Sequence, residues 1–132
     1  TALATTWSAL HQSDLPVRLL FLWIALESLF GPEDAREMSY RLAQRIALFS
    51  EVGQQEAREA FQIAKRGYSF RSKVAHGKTL EGEAAIDEIG QAERLLRVCL
   101  GRILETDGMV ANFSSKQREP FLDGLVFTRG NG

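Results

Sequence analysis

The segment PVRLLFLWIALESLF, residues 16–30, decides the fold because it is apolar on nearly every side of a helix. The start of this helix is predicted from Ser13, Asp14 and Pro16, since a capping side chain followed by a proline in the first turn is typical of helix starts. Gly31 and Pro32 predict its end. A helix that is apolar all round is usually buried, so we expect this one at the centre of a helical bundle.

Further helices are predicted on both sides of this segment. Apolar residues recur at helical spacing in about 33–51, 55–76 and 83–105, and shorter helices are expected at about 2–11 and 116–127. The predicted buried positions are Met38, Leu42, Ile46, Phe49, Ala57, Ala60, Phe61, Ala64, Tyr68, Ala75, Ala85, Ile89, Ala92, Leu96, Cys99 and Ile103. No stretch alternates convincingly with period two. The sequence therefore predicts an all-α fold, a bundle of four to five helices.

Size and composition predict a single domain over residues 1–132, with 45% hydrophobic and 25% charged residues. The one cysteine, Cys99, excludes an internal disulfide, is expected in the core, and favours a reducing, cytoplasmic location. The longest apolar run, 19–26, is shorter than the about 20 residues that cross a membrane. Two distant histidines and one buried cysteine make no metal site, so we expect no metal and no cofactor. Because the chain begins at Thr1 without Met, we expect a processed start or a domain of a longer protein.

Charge is unevenly distributed although the net charge is only −1. Between positions 58 and 78 there is one acid, Glu59, among six cations: Arg58, Lys65, Arg66, Arg71, Lys73 and Lys78. A local cluster of this kind suits a phosphate backbone. We therefore expect Arg58, Lys65, Arg66 and Lys78 to contact RNA, although a solvated helix face would show the same pattern.

The candidate catalytic residues lie in YSFRSKVAHG, residues 68–77, at the end of a helix that Gly77 is expected to close. Metal-free RNA cleavage needs a cation that holds a phosphate and an imidazole that moves a proton. Arg71 and His76 can supply these two groups, and Ser72 and Tyr68 can donate hydrogen bonds. The alternative is structural, with Arg71 in an ion pair and His76 only at a helix end.

The position of Arg71 predicts its partner. At 100° per residue, Arg71 falls on the apolar side of its helix, where a charge is costly to bury alone. Glu27 is the only acid in the apolar helix, so we expect Glu27 and Arg71 to form a salt bridge. Five steps place His76 roughly 140° from Arg71. The two would therefore meet by unwinding of the last turn or across a two-fold axis between two chains.

The segment 68–77 resembles the signature of HEPN domains, most closely the ApeA-like branch, in which a tyrosine precedes an Arg-Ser-Lys-aliphatic-x-His-Gly run. The segment LWIALESLF, 22–30, is similar to the family's apolar helix with its single glutamate, Glu27. Residues 94–97 and 118–122 also resemble the family, so the similarity spans nearly the whole chain.

This resemblance implies an all-α HEPN fold, a homodimer, and metal-independent endoribonuclease activity in a prokaryotic defence or toxin-type system. It implies a catalytic pair of Arg71 and His76 at a cleft between protomers, supported by Ser72, Glu27, Tyr68 and Lys73. It further implies a position at the C-terminus of a longer effector, and other domains or an antitoxin as partners besides RNA. Many active members carry Asn, Asp or His where this chain has Ser72.

Two other functions stay open on the sequence. One is a non-catalytic HEPN module that binds RNA or nucleotides, or only dimerises, within a larger protein. The other is a helical adaptor that binds protein partners through its apolar faces.

Overall fold

A computed structural model describes residues 15–51, 53–77 and 82–129, without the side chains of 128 and 129. Within these ranges every regular element is a helix and no strand occurs, which confirms the predicted all-α bundle. The elements are α1 (Leu15–Phe30), α2 (Met38–Ser50), α3 (Gln54–Ala75), α4 (Gly82–Glu105), a 3₁₀-helix (Met109–Phe113) and α5 (Arg118–Arg129). The helix expected at 2–11 and the capping residues Ser13 and Asp14 lie outside the described residues.

Helix boundaries agree with the sequence except at the start of α2. The predicted start near 33 is wrong, because α2 begins at Met38. The Asp34 carboxylate accepts a hydrogen bond from the main-chain N–H of Arg36, and such local bonds compete with helix formation. Glu37 then takes a left-handed conformation with φ of 51°. The predicted end of α3 is confirmed. This helix stops at Ala75, and Gly77 follows with φ of 90°.

The core lies between the inner faces of the four long helices. Every predicted buried position in α4 is buried, including Cys99, whose burial raises the pKa of its thiol to about 12. One expectation is wrong: Ala75 is exposed, since Val74 takes the inward position in the last turn of α3. Three other predicted positions, Met38, Phe61 and Tyr68, are half-buried. Helix α1 packs against α2, α3 and α4 and is buried on most sides, while Val17 and Ile24 stay 36% and 42% exposed.

A buried arginine of α2, Arg45, forms ion pairs with α5. Its side chain is 2% exposed and binds both carboxylate oxygens of Glu119 at 3.0 and 2.7 Å. It also binds Asp123 at 3.1 Å and the main-chain oxygen of Phe30 at 3.2 Å. The hydrogen bonds from Arg45 lower the pKa of Glu119 below its usual value. One side chain therefore joins α2, α5 and the end of α1.

We expect Glu119→Gln to remove part of the acid sensitivity of the fold. A carboxyl group with a lowered pKa stabilises the folded state above its unfolded pKa, about 4.3, and this stabilisation is lost as pH falls through the folded pKa. At pH 7 the variant should lose about 1.5–3 kcal/mol, the size of hydrogen bonds to a charged group. Below pH about 4 the difference from wild type should shrink, as measured by urea unfolding across pH.

The matched control is Asp34→Asn. The main-chain N–H of Arg36 also lowers the pKa of Asp34, but this carboxylate is exposed and should matter little to the free energy of unfolding. A constant difference between wild type and Glu119→Gln from pH 7 to pH 3 would contradict the proposed role of Glu119.

Helices α1 and α3 approach closely at Gly67. A β-carbon placed on Gly67 would lie 2.6 Å from Cζ2 of Trp23, closer than such atoms can approach. Trp23 is 1% exposed, so its ring has little room to move. The absence of a side chain at Gly67 therefore lets the backbone of α3 rest on the Trp23 ring.

We expect Gly67→Ala to destabilise the protein although alanine is the better helix former. Forcing extra atoms into a packed core costs about 1–3 kcal/mol, which offsets or exceeds the gain of about 1 kcal/mol from helix propensity. The matched control is Gly90→Ala in α4, where a β-carbon would meet nothing within 4 Å and the propensity gain should appear alone. Urea unfolding measures both, and equal stabilisation of the two variants would contradict the close contact.

Candidate functional site

Arg71 is held between α1 and α3 by a carboxylate and an aromatic ring. Its Nη2 lies 3.3 Å from Oε2 of Glu27, which confirms the predicted salt bridge. The two side chains are 25% and 24% exposed, so solvent reaches both. The Arg71 guanidinium also lies over the Tyr68 ring, 5.6 Å from its centroid. These contacts fix the direction of the guanidinium and leave part of it accessible.

Burial affects the pKa of Glu27 more than the neighbouring charge of Arg71 does. Removal from water raises the pKa of this carboxyl, and the nearby charge of Arg71 offsets only part of the rise. A partly buried ion pair of this kind contributes little net stability, because desolvation cancels much of the attraction. We infer that the pair serves mainly to position Arg71. Carboxyl groups with perturbed pKa values are common at functional sites, although structural ion pairs show the same perturbation.

The rings of Trp23 and Tyr68 pack next to Arg71. Their rings meet edge to face with centroids 5.9 Å apart and an interplanar angle of 79°. The Nε1 of Trp23 and the Nε of Arg71 are buried and find no acceptor among the residues that the structure describes. The ring of Tyr68 packs between Trp23 and Arg71, and a hydrogen bond from its hydroxyl to RNA stays a prediction.

His76 is exposed at the end of α3, and its ring folds back over the last turn. Nδ1 lies 2.7 Å from the main-chain oxygen of Ser72, which can only accept a hydrogen bond. The neutral ring therefore carries its proton on Nδ1 and leaves Nε2 unprotonated. An imidazole held in one tautomer with a free nitrogen is suited to accept a proton. Ser72 contacts His76 through its main-chain oxygen, and a hydrogen bond from the Ser72 hydroxyl to RNA stays a prediction.

Arg71 and His76 contact different groups within this chain. In the described part of α3, no hydrogen bond joins the two side chains. Arg71 faces Glu27 on the α1 side, and five steps of an ideal helix place His76 roughly 140° away. The last turn of α3 stays helical to Ala75, so it does not unwind. Pairing of Arg71 with His76 across two chains stays a prediction.

The cations of α3 differ in whether a carboxylate binds them. Arg66 lies 3.0 Å from Oε1 of the buried Glu88, so it serves a structural ion pair as well as any contact with RNA. Arg58, Lys65 and Lys73 are exposed, and no carboxylate of the described residues lies within ion-pair distance of them. The Nζ of Lys65 lies 5.9 Å from the centroid of the Phe61 ring. Lys78, the fourth predicted RNA contact, lies outside the described residues.

Sequence reasoning missed two buried charges, Arg45 and Glu88. Each lies at helical spacing among apolar residues, Arg45 beside Leu42 and Ile46, and Glu88 beside Ala85 and Ala92. Their burial was predictable in the same way as that of Arg71, since a charge on an apolar helix face needs a partner. Their partners, Glu119 and Arg66, lie on other helices, and neither sequence position indicates the pairing.

Neither a metal-binding cluster nor a membrane-spanning helix occurs among the described residues. Within residues 15–51, 53–77 and 82–129, no group of three or more His, Cys, Asp or Glu side chains could hold a metal ion. None of the helices in these ranges combines the length and the apolar character that crossing a bilayer requires. Comparison of the chain with protein-family models, curated proteins and solved structures finds no match.

We expect His76 to be the Nδ1–H tautomer, because the Ser72 carbonyl accepts its proton. Long-range ¹H–¹⁵N correlation spectra, recorded where the ring is neutral, distinguish a protonated Nδ1 from a protonated Nε2. Free imidazole side chains favour Nε2–H, so the two outcomes differ clearly. A His11→Ala variant leaves a single histidine and so assigns the signals. A protonated Nε2 in that variant would contradict the contact with Ser72.

Proposed function

We propose that this domain is a metal-independent endoribonuclease of the HEPN type, with His76 as proton-transfer group and Arg71 as phosphate-binding group. The observation that carries the proposal is the exposed His76 side chain, whose Nδ1 lies 2.7 Å from the Ser72 carbonyl oxygen, so that Nε2 is not used in that contact. The Arg71 guanidinium, anchored by Glu27 and partly accessible, is the second support. The exposed cations Lys65 and Lys73 lie on the same helix and would attract RNA.

The proposed reaction is an internal transfer at phosphorus. Nε2 of His76 removes the proton of a ribose 2′-hydroxyl, whose oxygen bonds to the adjacent phosphorus. The bond from phosphorus to the 5′-oxygen breaks, and that oxygen leaves with a proton from solvent or from a protonated imidazole. The products are a 2′,3′-cyclic phosphate and a 5′-hydroxyl. Arg71 binds two phosphate oxygens and stabilises the negative charge that develops.

The active form in this proposal is a homodimer. Because Arg71 and His76 lie on different sides of α3, a complete site needs Arg71 from one protomer and His76 from its partner. Such an enzyme would act as the RNase of a prokaryotic defence or toxin-type system in the cytoplasm. Control of its activity would then come from an antitoxin or from other domains of a longer protein.

A second candidate is a non-catalytic module that binds RNA or nucleotides. It is favoured by the engagement of Arg71 with Glu27 and Tyr68, since this arginine already has partners in the free domain. That module would bind RNA without cutting it.

Cleavage of single-stranded RNA in EDTA tests the proposal. His76→Ala should reduce the rate by about 10²–10⁴-fold, the usual contribution of general acid–base catalysis, because no group would replace Nε2. Arg71→Ala should also reduce it, whereas His11→Ala serves as the matched control and should cleave like wild type. Circular dichroism verifies folding of each variant. Equal cleavage by wild type and His76→Ala would exclude His76 as the catalytic group.

Mixing the two inactive variants tests the shared site. A heterodimer of Arg71→Ala with His76→Ala has one intact pair and one pair that lacks both groups. With random exchange, about a quarter of the wild-type sites should be restored. No restoration, although sedimentation shows that the chains exchange, would mean that the two residues do not act across the protomers.

A further inference from the structure

A groove of about 320 Å³ lies between α2 and α3, at the opposite end of α3 from His76. Its lining includes two aromatic rings, three amides and one cation: Tyr40, Phe61, Gln44, Gln54, Gln62 and Arg58. Among the described residues, no carboxylate lines this groove. Another cavity is lined by three acids, Glu51, Glu56 and Glu59, and one cation, Arg94. Charge therefore favours an anion in the first of these two spaces.

The aromatic pair offers a surface for stacking. Tyr40 is 49% exposed, although large aromatic side chains are usually mostly buried. Its ring meets Phe61 edge to face, with centroids 5.3 Å apart and an interplanar angle of 71°. Phe61 is half-buried and so holds the Tyr40 ring in one orientation. An exposed, oriented aromatic ring is what single-stranded nucleic acids use as a stacking platform.

The polar groups of the groove match the edges of a nucleobase. Each glutamine amide has both donors and an acceptor, so Gln44 and Gln62 can pair with the mixed donors and acceptors of a base. Arg58 is exposed at the same wall and can bind a phosphate oxygen. Stacking, base-edge and phosphate contacts are thus available within one groove.

The groove is continuous with the candidate catalytic residue along α3. At 100° per residue, Arg58, Gln62, Lys65, Ser69 and His76 fall within an arc of about 60°. All five are exposed, and the distance along the helix from Arg58 to His76 is roughly 27 Å. This exposed stripe carries cations and hydroxyl or amide groups and no acid. A single strand of RNA lying along it would reach both the groove and the imidazole.

We propose that the groove between α2 and α3 binds a base of single-stranded RNA, stacked on Tyr40, while a more distant phosphodiester of the same strand lies at His76. This proposal rests on the proposed function and adds how the substrate is held. It makes the site selective for unpaired RNA, because a base in a duplex is already stacked and paired. Gln44 and Gln62 would then give the enzyme its preference among bases.

Fluorescence anisotropy with a 2′-O-methyl oligonucleotide of about ten residues tests the proposal, since that strand lacks the attacking hydroxyl and binds without being cut. Tyr40→Leu keeps apolar area but has no aromatic face, and it should weaken binding by at least about fivefold. Tyr40→Phe keeps the ring and should bind within about twofold of wild type. Gln62→Glu, an exposed and helix-compatible change, places a carboxylate in the groove and should also weaken binding.

The controls separate local from general effects. Arg58→Ala should weaken binding and lower the salt slope by about 0.7, the value for one phosphate contact on a single strand. Arg97→Ala removes an exposed cation from α4 and should leave affinity unchanged. Thermal unfolding verifies that each variant is folded.

The outcomes distinguish this proposal from the nuclease itself. If Tyr40→Leu and Gln62→Glu bind like wild type while His76→Ala abolishes cleavage, the groove proposal is wrong and the nuclease stands. If both groove variants lose affinity but wild type cleaves nothing in EDTA, the groove proposal holds and the nuclease fails. Absence of binding by wild type, or loss with Tyr40→Phe equal to loss with Tyr40→Leu, would also overturn the stacking proposal.

Discussion

The contact of Gly67 with the Trp23 ring is the constraint on which the rest of this site depends. It sets how closely α3 approaches α1, and that distance decides which side chains can meet across the two helices. At this spacing Arg71 reaches Glu27, and Tyr68 lies between Arg71 and Trp23. A bulkier residue at 67 would move α3 outward and leave Arg71 partly buried without its carboxylate, which is costly.

Buried charges organise the bundle and determine which cations remain for a ligand. Arg45 binds Glu119, Arg66 binds Glu88, and Arg18 of α1 pairs with Glu93 of α4. Each pair joins two helices, so these pairs orient the elements more than they stabilise them. Arg58, Lys65 and Lys73 are left on the exposed side of α3. Helix α3 thus has one face that packs by small residues and another that carries solvated cations.

Much of the fold and part of the site could be predicted from residues alone. Helical periodicity located α1, α3 and α4 to within about two residues, because their apolar faces are long and regular. The Glu27–Arg71 pair was predictable, since each is the single charge on an apolar face. The start of α2 was not, because the Asp34 turn and the left-handed Glu37 reflect local competition that periodicity does not report.

The sequence by itself determined the all-α class and the end of α3 at Gly77. It also determined that Arg71 lies on an apolar helix face, where its charge needs an acidic partner. Only the tertiary structure decided that His76 binds the Ser72 carbonyl, which acids and bases Arg45 and Glu88 bind, and that Tyr40 faces Phe61 across a groove. The physical reason is that periodicity shows which side of a helix is apolar. It does not show which neighbouring helix covers that side, or at what distance and rotation.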